Sequence, residues 1–349
     1  MRSKTKTVHD PAGGLTGELA LLSRIRARAG RVSGTAVRLG MGDDCALLRP
    51  RAGEELAITT DLSIEGRHFR LDWHAPEAVG HRTLARGLSD LAAMGARPVA
   101  AFVSLGLPAE LVAEKNSRRA AWVSRFYDGF LALAGRHATP LAGGDLAQSP
   151  LALADIVLLG AVRQGRALLR SGARPGDWLY VTGRLGGAAA GLARLAELAR
   201  SQSSIGRRGL KIPARLAATL QPHLAPQPRI AQGLWLARRG LATAALDISD
   251  GLSTDLRHLC DESGVAAEVD AALLPVFAGA TLDQALNGGE DYELLFTGRP
   301  GTRIPRAMAG IAITRIGRIL RRGASRPGVT LLTGRRSQPL DARGWEHFS

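Results

Sequence analysis

Six short acidic segments set among small residues constrain this chain more than any other feature. They are Gly42-Asp43-Asp44, Thr60-Asp61, Ser89-Asp90, Gly143-Gly144-Asp145, Asp247-Ile248-Ser249-Asp250-Gly251 and Gly288-Gly289-Glu290-Asp291. Carboxylates crowded into compact segments repel one another and need counter-charge. Hard divalent cations supply it: magnesium takes oxygen ligands, keeps several waters, and needs only one or two carboxylates per ion, leaving places for phosphate oxygens. Glycines beside the acids let backbone N–H groups approach a phosphate closely. One Asp-Gly pair alone is an ordinary turn former. The co-occurrence of all six points to metal-assisted phosphate chemistry. Asp90 is the sharpest single case, because it lies inside a helical pattern between Leu88 and Leu91. An Asp on such a face is costly unless paired or metal-bound.

The pattern along the chain places these segments. Apolar spacing predicts helices over residues 17–29, 77–94 and 111–135, and strands over 55–60, 99–105 and 151–162. Asp61 is expected at the end of its strand, and Gly143-Gly144-Asp145 in a turn after residues 140–142. A second unit begins near Arg163, with strands over 177–182, 244–248, 266–269 and 293–297 and helices over 187–199 and 252–263. Residues 200–228 are polar, basic and proline-bearing and read as a loop or lid, and residues 307–349 as short strands and turns. The order lacks a regular Rossmann alternation. The expected class is mixed α/β (α+β), with a basic tail 1–14, one domain over 15–162 and a second over 163–349.

Several function classes drop out. The sequence contains no GxxxxGK[ST] loop, no HRD…DFG pair and no GxSxG elbow, and Gly183-Arg184-Leu185-Gly186-Gly187 misses the dinucleotide spacing. No apolar run reaches the roughly 18 residues of a membrane span, and residues 1–14 lack a secretory apolar core. Cys45 and Cys260 have no CxxC spacing, which argues against a zinc site or a disulfide framework and fits a reducing cytoplasm. The net charge of +15 raises nucleic-acid binding as a reading of another class, centred on Arg207 and Arg208. Aromatic residues make up only 4% of the chain, so stacking platforms are few. The surplus reads as a solvated surface, and nucleic acid is not expected as a partner.

The segments GMGDDCALL (40–48), ITTDLSIEGRHF (58–69), LARGLSDLAAMGARPVA (84–100), LAGGD (141–145), GRALLRSGARPGDWLYVTG (165–183), LDISDGLSTDL (246–256) and ALNGGEDYELLFT (285–297) follow one another in order. With them the chain, from about Leu15 to its end, resembles the thiamine-monophosphate kinase family of the aminoimidazole-ribonucleotide-synthetase-like superfamily. The resemblance implies two α/β domains of mixed sheets with flanking helices, a homodimer formed through the N-terminal sheet, and an active site between the domains. It implies transfer of the γ-phosphoryl of ATP to thiamine monophosphate with several magnesium ions. By the same resemblance Asp44, Thr59, Thr60, Asp61, Asp90, Asp145, Asp247 and Asp250 would bind metal, with Asp90 and Asp145 central to catalysis. Gly144, Arg170 and Ser249 would contact ATP, and His68, Glu290 and Trp345 the thiamine substrate. Two positions depart from the family pattern. Leu146-Ala147-Gln148 stands where two threonines and a basic residue usually follow GGD, and Trp345 where tyrosine is frequent. The rival within the superfamily is an ATP-using enzyme of the selenophosphate or aminoimidazole-ribonucleotide synthetase type.

Overall fold

The computed structural model describes residues 17–30, 36–41, 43–112, 121–202, 210–323 and 328–346. The expected tail 1–14 and the Arg207-Arg208 pair lie outside the described residues. Helix α1 (Gly17–Ala29) and a two-stranded ribbon, β1 (Val37–Leu39) with β2 (Leu47–Leu48), come first. Then follow β3 (Glu54–Ile64), α2 (Pro76–Ala93), β4 (Arg97–Leu107), α3 (Ala109–Val112), α4 (Ala121–Arg136), β5 (Leu141–Gln148) and β6 (Leu153–Arg163). Strands β3 to β6 make one sheet in the order β3-β6-β4-β5, antiparallel except for β4 with β5. β6 lies inside the sheet and is apolar on both faces, as a doubly covered strand must be. Its Ala154, Ile156 and Leu158 join the core under α2 and α4, while Leu159 and Ala161 pack with Val37 on the ribbon side.

The second unit runs through β7 (Trp178–Thr182), α5 (Gly187–Ser201), α6 (Ala217–Leu224), α7 (Ile230–Arg239), β8 (Ala244–Asp247), α8 (Leu252–Ser263), β9 (Val265–Asp270) and α9 (Leu282–Asn287). It ends with β10 (Leu294–Gly298), β11 (Ala307–Met308), β12 (Ile311–Arg321), β13 (Val329–Thr333) and β14 (Arg336–Pro339). Its mixed sheet has the order β14-β13-β9-β12-β7-β10-β8, with β11 paired to β12. One face of this sheet sends Leu179, Val181, Leu246 and Leu295 against Leu252, Leu256 and Leu259 of α8. The other face sends Ala245, Phe296 and Ile313 into the same core as α2 and α7. The two sheets are thus joined by one apolar layer built on α2 and α7, and the architecture is the expected mixed α/β class.

Four local expectations need correction. β3 continues to Ile64, so Asp61 sits inside a strand and not at its end. The Gly143-Gly144-Asp145 segment is also strand interior, in β5. Both strands are held past these residues by a neighbour, Asp61 opposite Ile156 and Asp145 opposite Ser104, so pairing overrides local turn chemistry. The helix expected over 111–135 is described as α3 and α4, with residues 113–120 outside the described part. Residues 200–228 contain a 3-10 turn (Ala214–Leu216) and α6, in which Leu216 and Leu220 pack on Leu195 of α5. Leucines four apart announce that helix, which the prolines and charges around it mask. The periodicity of α7 and α9 also went unused.

α2 begins with Pro76 in its first turn and stops at Met94-Gly95, where Gly95 adopts φ +64°. Its contact with α7 is backbone to backbone: a Cβ at Gly233 would lie 1.9 Å from the carbonyl oxygen of Ala92. We expect Gly233→Ala to push α7 off α2 and to cost about 1–3 kcal/mol, as overpacking typically does. Chemical denaturation checks this, and an unchanged unfolding midpoint would contradict the close approach.

Candidate active site

A cavity of about 490 Å³ opens between the two units. One wall is α2. Its helical repeat puts Arg82, Arg86 and Asp90, four residues apart, on one face. Nη2 of Arg82 donates to both carboxylate oxygens of Glu290 of the second unit, at 2.8 and 2.9 Å. Asp90 accepts a hydrogen bond from the Thr59 hydroxyl of β3. Between them Arg86 approaches Asp61 at 3.5 Å. One position before Asp90, the Ser89 hydroxyl crosses to the second unit and donates to Asp247 at 2.6 Å.

The opposite wall is the segment after β8. The amides of Ser249, Asp250 and Gly251 all donate to Asp255, at 3.1, 3.1 and 3.0 Å, which folds the segment into a cup at the start of α8. The chain from Gly289 to Tyr292 packs on this cup through Glu290 N–H to Ser249 O (2.7 Å) and Tyr292 N–H to Ile248 O (2.9 Å). Glu290 and Tyr292 both adopt positive φ, 68° and 50°. Such strain in side-chain-bearing residues persists only where surrounding contacts impose it. Asp291, from the same acidic segment, turns away and accepts the amides of Gly186 and Ala188 at the start of α5. At the rim Trp345 is half exposed, its amide bound to the carbonyl of Asp250 at 3.0 Å.

The floor holds two buried histidines that sequence reading passed over. Arg82 approaches Nδ1 of His223 at 3.1 Å, and His223 Nε2 meets His74 Nε2 at 3.0 Å. A guanidinium can only donate. The network therefore assigns an acceptor at His223 Nδ1 and a proton on His223 Nε2 donated to His74, whose Nδ1 lies 3.1 Å from the amide and 3.2 Å from the carbonyl of Arg70. Both rings are neutral. Burial drives His74 down to about 4, with the charge of Arg82 adding to it. Burial, Arg82 and His74 hold His223 well below its ordinary value. Through His223, residues 200–228, expected as a loop or lid, contribute to the site floor.

The expected ligands do not all gather here. Asp61, Asp90, Asp247, Ser249, Asp250, His68, Glu290 and Trp345 line this cavity. Thr59 reaches it through Asp90. Thr60 does not: strand alternation points it to the other face of β3, together with Leu56, Ile58 and Leu62. Asp44, Gly144 and Asp145 line a second cavity of about 630 Å³, with Asp43 and Arg26, along β5. β3 and β5 are opposite edges of the four-stranded sheet, about 14 Å apart at the usual strand spacing. At Gly144 a Cβ would lie 1.9 Å from Val103 O, so the neighbouring strand alone already requires glycine there. Arg170 stands outside the cavity, near enough for its charge to pull against the raised pKa of Asp90. The functional residues missed are Arg82, Arg86, His74 and His223; the first two carried a signal, their spacing of four and eight from Asp90.

The carboxylate wall suits a hard cation. Burial raises Asp61 to about 6, Arg86 opposing and Asp90, Asp155 and Asp250 adding their repulsion. Burial also raises Asp90, which Thr59, Arg170 and Arg86 oppose, and it raises Asp247 strongly, with Asp90 reinforcing it. Acids crowded this way lack positive charge, and their oxygens are the donors magnesium prefers. Among the described residues no three carboxylate, histidine or cysteine side chains converge to hold an ion unaided.

Comparison with known proteins agrees with this geometry. Residues 42–162 match the family described as AIR synthase related protein, N-terminal domain, and residues 174–323 its C-terminal domain. The fold and site thus define a two-domain protein of the AIR synthase related class. Thiamine-monophosphate kinase of Escherichia coli (strain K12) is 39% identical over 95% of this chain and 98% of its own length. The crystal structure of thiamine-monophosphate kinase from Stenotrophomonas maltophilia K279a superposes with TM-score 0.75 at 39% identity, covering 90% of this chain and 96% of that one. AaThiL complexed with AMPPCP and TMP superposes with TM-score 0.71 at 31% identity, covering 95% and 97%. The chain belongs to the thiamine-monophosphate kinase family.

The histidine pair gives a pH signature. Each ring has its folded pKa depressed below the ordinary 6.5, so the unfolded chain binds more protons than the folded one. The contribution to stability is then present above pH 6.5 and lost as pH falls toward about 4. We expect the thermal midpoint to drop across that window, and His74→Gln combined with His223→Gln to flatten the drop. An equal slope in wild type and variant would refute the neutral pair.

Proposed function

We propose that this chain transfers the γ-phosphoryl group of ATP to thiamine monophosphate, giving thiamine diphosphate and ADP. The observation that carries the reading is the lining of the interdomain cavity. Asp61, Asp90, Asp247 and Asp250 line it together with His68, Glu290 and Trp345, in a chain that aligns over 95% of its length with AaThiL complexed with AMPPCP and TMP. Magnesium, held by those carboxylates with Thr59, would supply the positive charge that both phosphates need. Trp345 offers a face for the cationic thiazolium or the pyrimidine. Glu290 is kept ionised: burial alone would raise it, and Arg82 and Arg86 bring it below its ordinary value. The acceptor oxygen already carries negative charge, so no strong general base is required. It attacks the γ-phosphorus directly as the bond to the ADP oxygen breaks, and catalysis rests on alignment and charge neutralisation. We place the protein in the cytoplasm. The two cysteines are free, and among the described residues no helix is long and apolar enough to cross a membrane.

We further infer a homodimer. Leu56, Ile58 and Leu62 on the outer face of β3 are 41%, 63% and 44% exposed, an apolar row on an edge strand. Such edges are ordinarily covered. A second copy over that row would bring the partner's Asp44 and the partner's Asp145 toward Thr60 and Asp61, gathering the acids that one chain keeps at opposite edges. The N-terminal unit, residues 15–162, then carries most of the metal and nucleotide contacts, and residues 163–349 most of the thiamine contacts.

Two measurements test these readings. ADP release with thiamine monophosphate should be matched mole for mole by thiamine diphosphate, and Asp90→Asn, which keeps an acceptor for Thr59, should lower kcat at least about a hundredfold; near-normal turnover by that variant removes Asp90 from the site. Ile58→Glu should give a monomer in light scattering with most of the activity lost, whereas an intact dimer would place the interface elsewhere.

A further inference from the structure

We propose that Arg86 is the side chain that binds the acceptor phosphate, and so selects phosphorylated over unphosphorylated thiamine. The inference rests on the kinase reading of the cavity and adds a residue which the acidic segments do not announce. A guanidinium offers five donors in a planar fork and cannot lose its proton. When largely buried it must be hydrogen-bonded, or the desolvation goes uncompensated. Arg86 has only 17% of its side chain exposed, yet its Nη1 has no hydrogen-bond partner. Its Nη2 reaches Asp61 only at 3.5 Å, too long for a good charge-assisted bond. The other charged residues on the same helical face each have a hydrogen-bond partner, Arg82 with Glu290 and Asp90 with Thr59.

Its position defines the ligand. Along α2, Arg82 marks the end of the cavity where Glu290, His74 and His223 lie, and Asp90 the end where Asp61 and Asp247 crowd. Arg86 stands one helical turn from each, where a phosphate carried by a substrate seated against Glu290 and Trp345 would meet a phosphoryl donor held at the carboxylates. A cation at those carboxylates takes over the neutralisation of Asp61 and leaves the fork of Arg86 to a phosphate. A bare hydroxyl in the same place would leave the buried guanidinium unsatisfied, which is a penalty rather than a missing attraction, and it makes the discrimination steep.

The test compares wild type, Arg86→Met and Arg86→Lys in magnesium buffer. Met fills the space without the charge, and Lys keeps the charge without the fork. Titration calorimetry with thiamine monophosphate and with thiamine should show that wild type prefers the phosphate ester, and that Arg86→Met binds the two alike. In steady-state assays Arg86→Met should raise KM for thiamine monophosphate about 10- to 100-fold, the worth of lost hydrogen bonds to a charged group, with KM for ATP moved less than about threefold. Arg86→Lys should recover part of the loss. Should Arg86→Met fold poorly, the Lys variant decides alone: KM for thiamine monophosphate and the preference over thiamine both within twofold of wild type would overturn the proposal. Wild-type protein that makes no thiamine diphosphate would defeat the kinase reading instead, and calorimetry with the two thiamine compounds would still judge Arg86.

Discussion

Everything in this molecule is arranged around one helix that is buried on both sides and still carries charge. α2 lies between the two sheets, and its Leu84, Leu88 and Leu91 are fully buried. The same helix holds Arg82, Arg86, Ser89 and Asp90. Ions and hydroxyls in such a place need partners, and three of these four find a hydrogen bond in another element: Arg82 with Glu290, Ser89 with Asp247, Asp90 with Thr59. Removing a partner would leave an uncompensated buried group, which is worse than never having had the pair. The contacts that hold the two units together are therefore the contacts that shape the cavity. A chain built this way cannot loosen its domain interface without disturbing its site.

The charge distribution has two scales. The chain as a whole carries +15, while the cavity gathers Asp61, Asp90, Asp247 and Asp250 on its lining, with Arg86 beside Asp61. A basic exterior draws polyanions such as nucleotides toward the surface through its long-range field. The acidic interior then repels them unless divalent cations enter as well. The surplus is thus compatible with a small anionic substrate, and under the proposed function the carboxylates would make its entry conditional on metal. Buried carboxylates with raised pKa values are the physical expression of that condition.

Several elements were legible from local pattern alone. α1, α2 and α8 lie close to where apolar spacing and glycine stops put them. The acidic segments around Asp61, Asp90, Asp250 and Glu290 do meet in one cavity. What misled was reading short polar stretches as strand ends or loops. Thr60-Asp61 and Gly143-Gly144-Asp145 sit inside strands because β6 and β4 extend pairing past them. The region of α6 looked like a lid because prolines and charges obscured Leu216 and Leu220. His74 and His223 were illegible, since two histidines 149 residues apart have no local signature.

The sequence by itself determined the family of this protein, through carboxylates beside small residues in the order that marks it. It also determined which faces of α2 are apolar, because a period of 3.6 leaves no choice. Only the tertiary structure decided which of those carboxylates face one another. It set Thr59 and Asp61 inward and Thr60 outward by the alternation of a strand, and it placed Asp145 on the far edge of the sheet by strand order. It also left Arg86 as the buried cation between two hydrogen-bonded neighbours, with its own Nη1 unpartnered. Distances between side chains depend on packing of elements remote in sequence, and no local pattern encodes them.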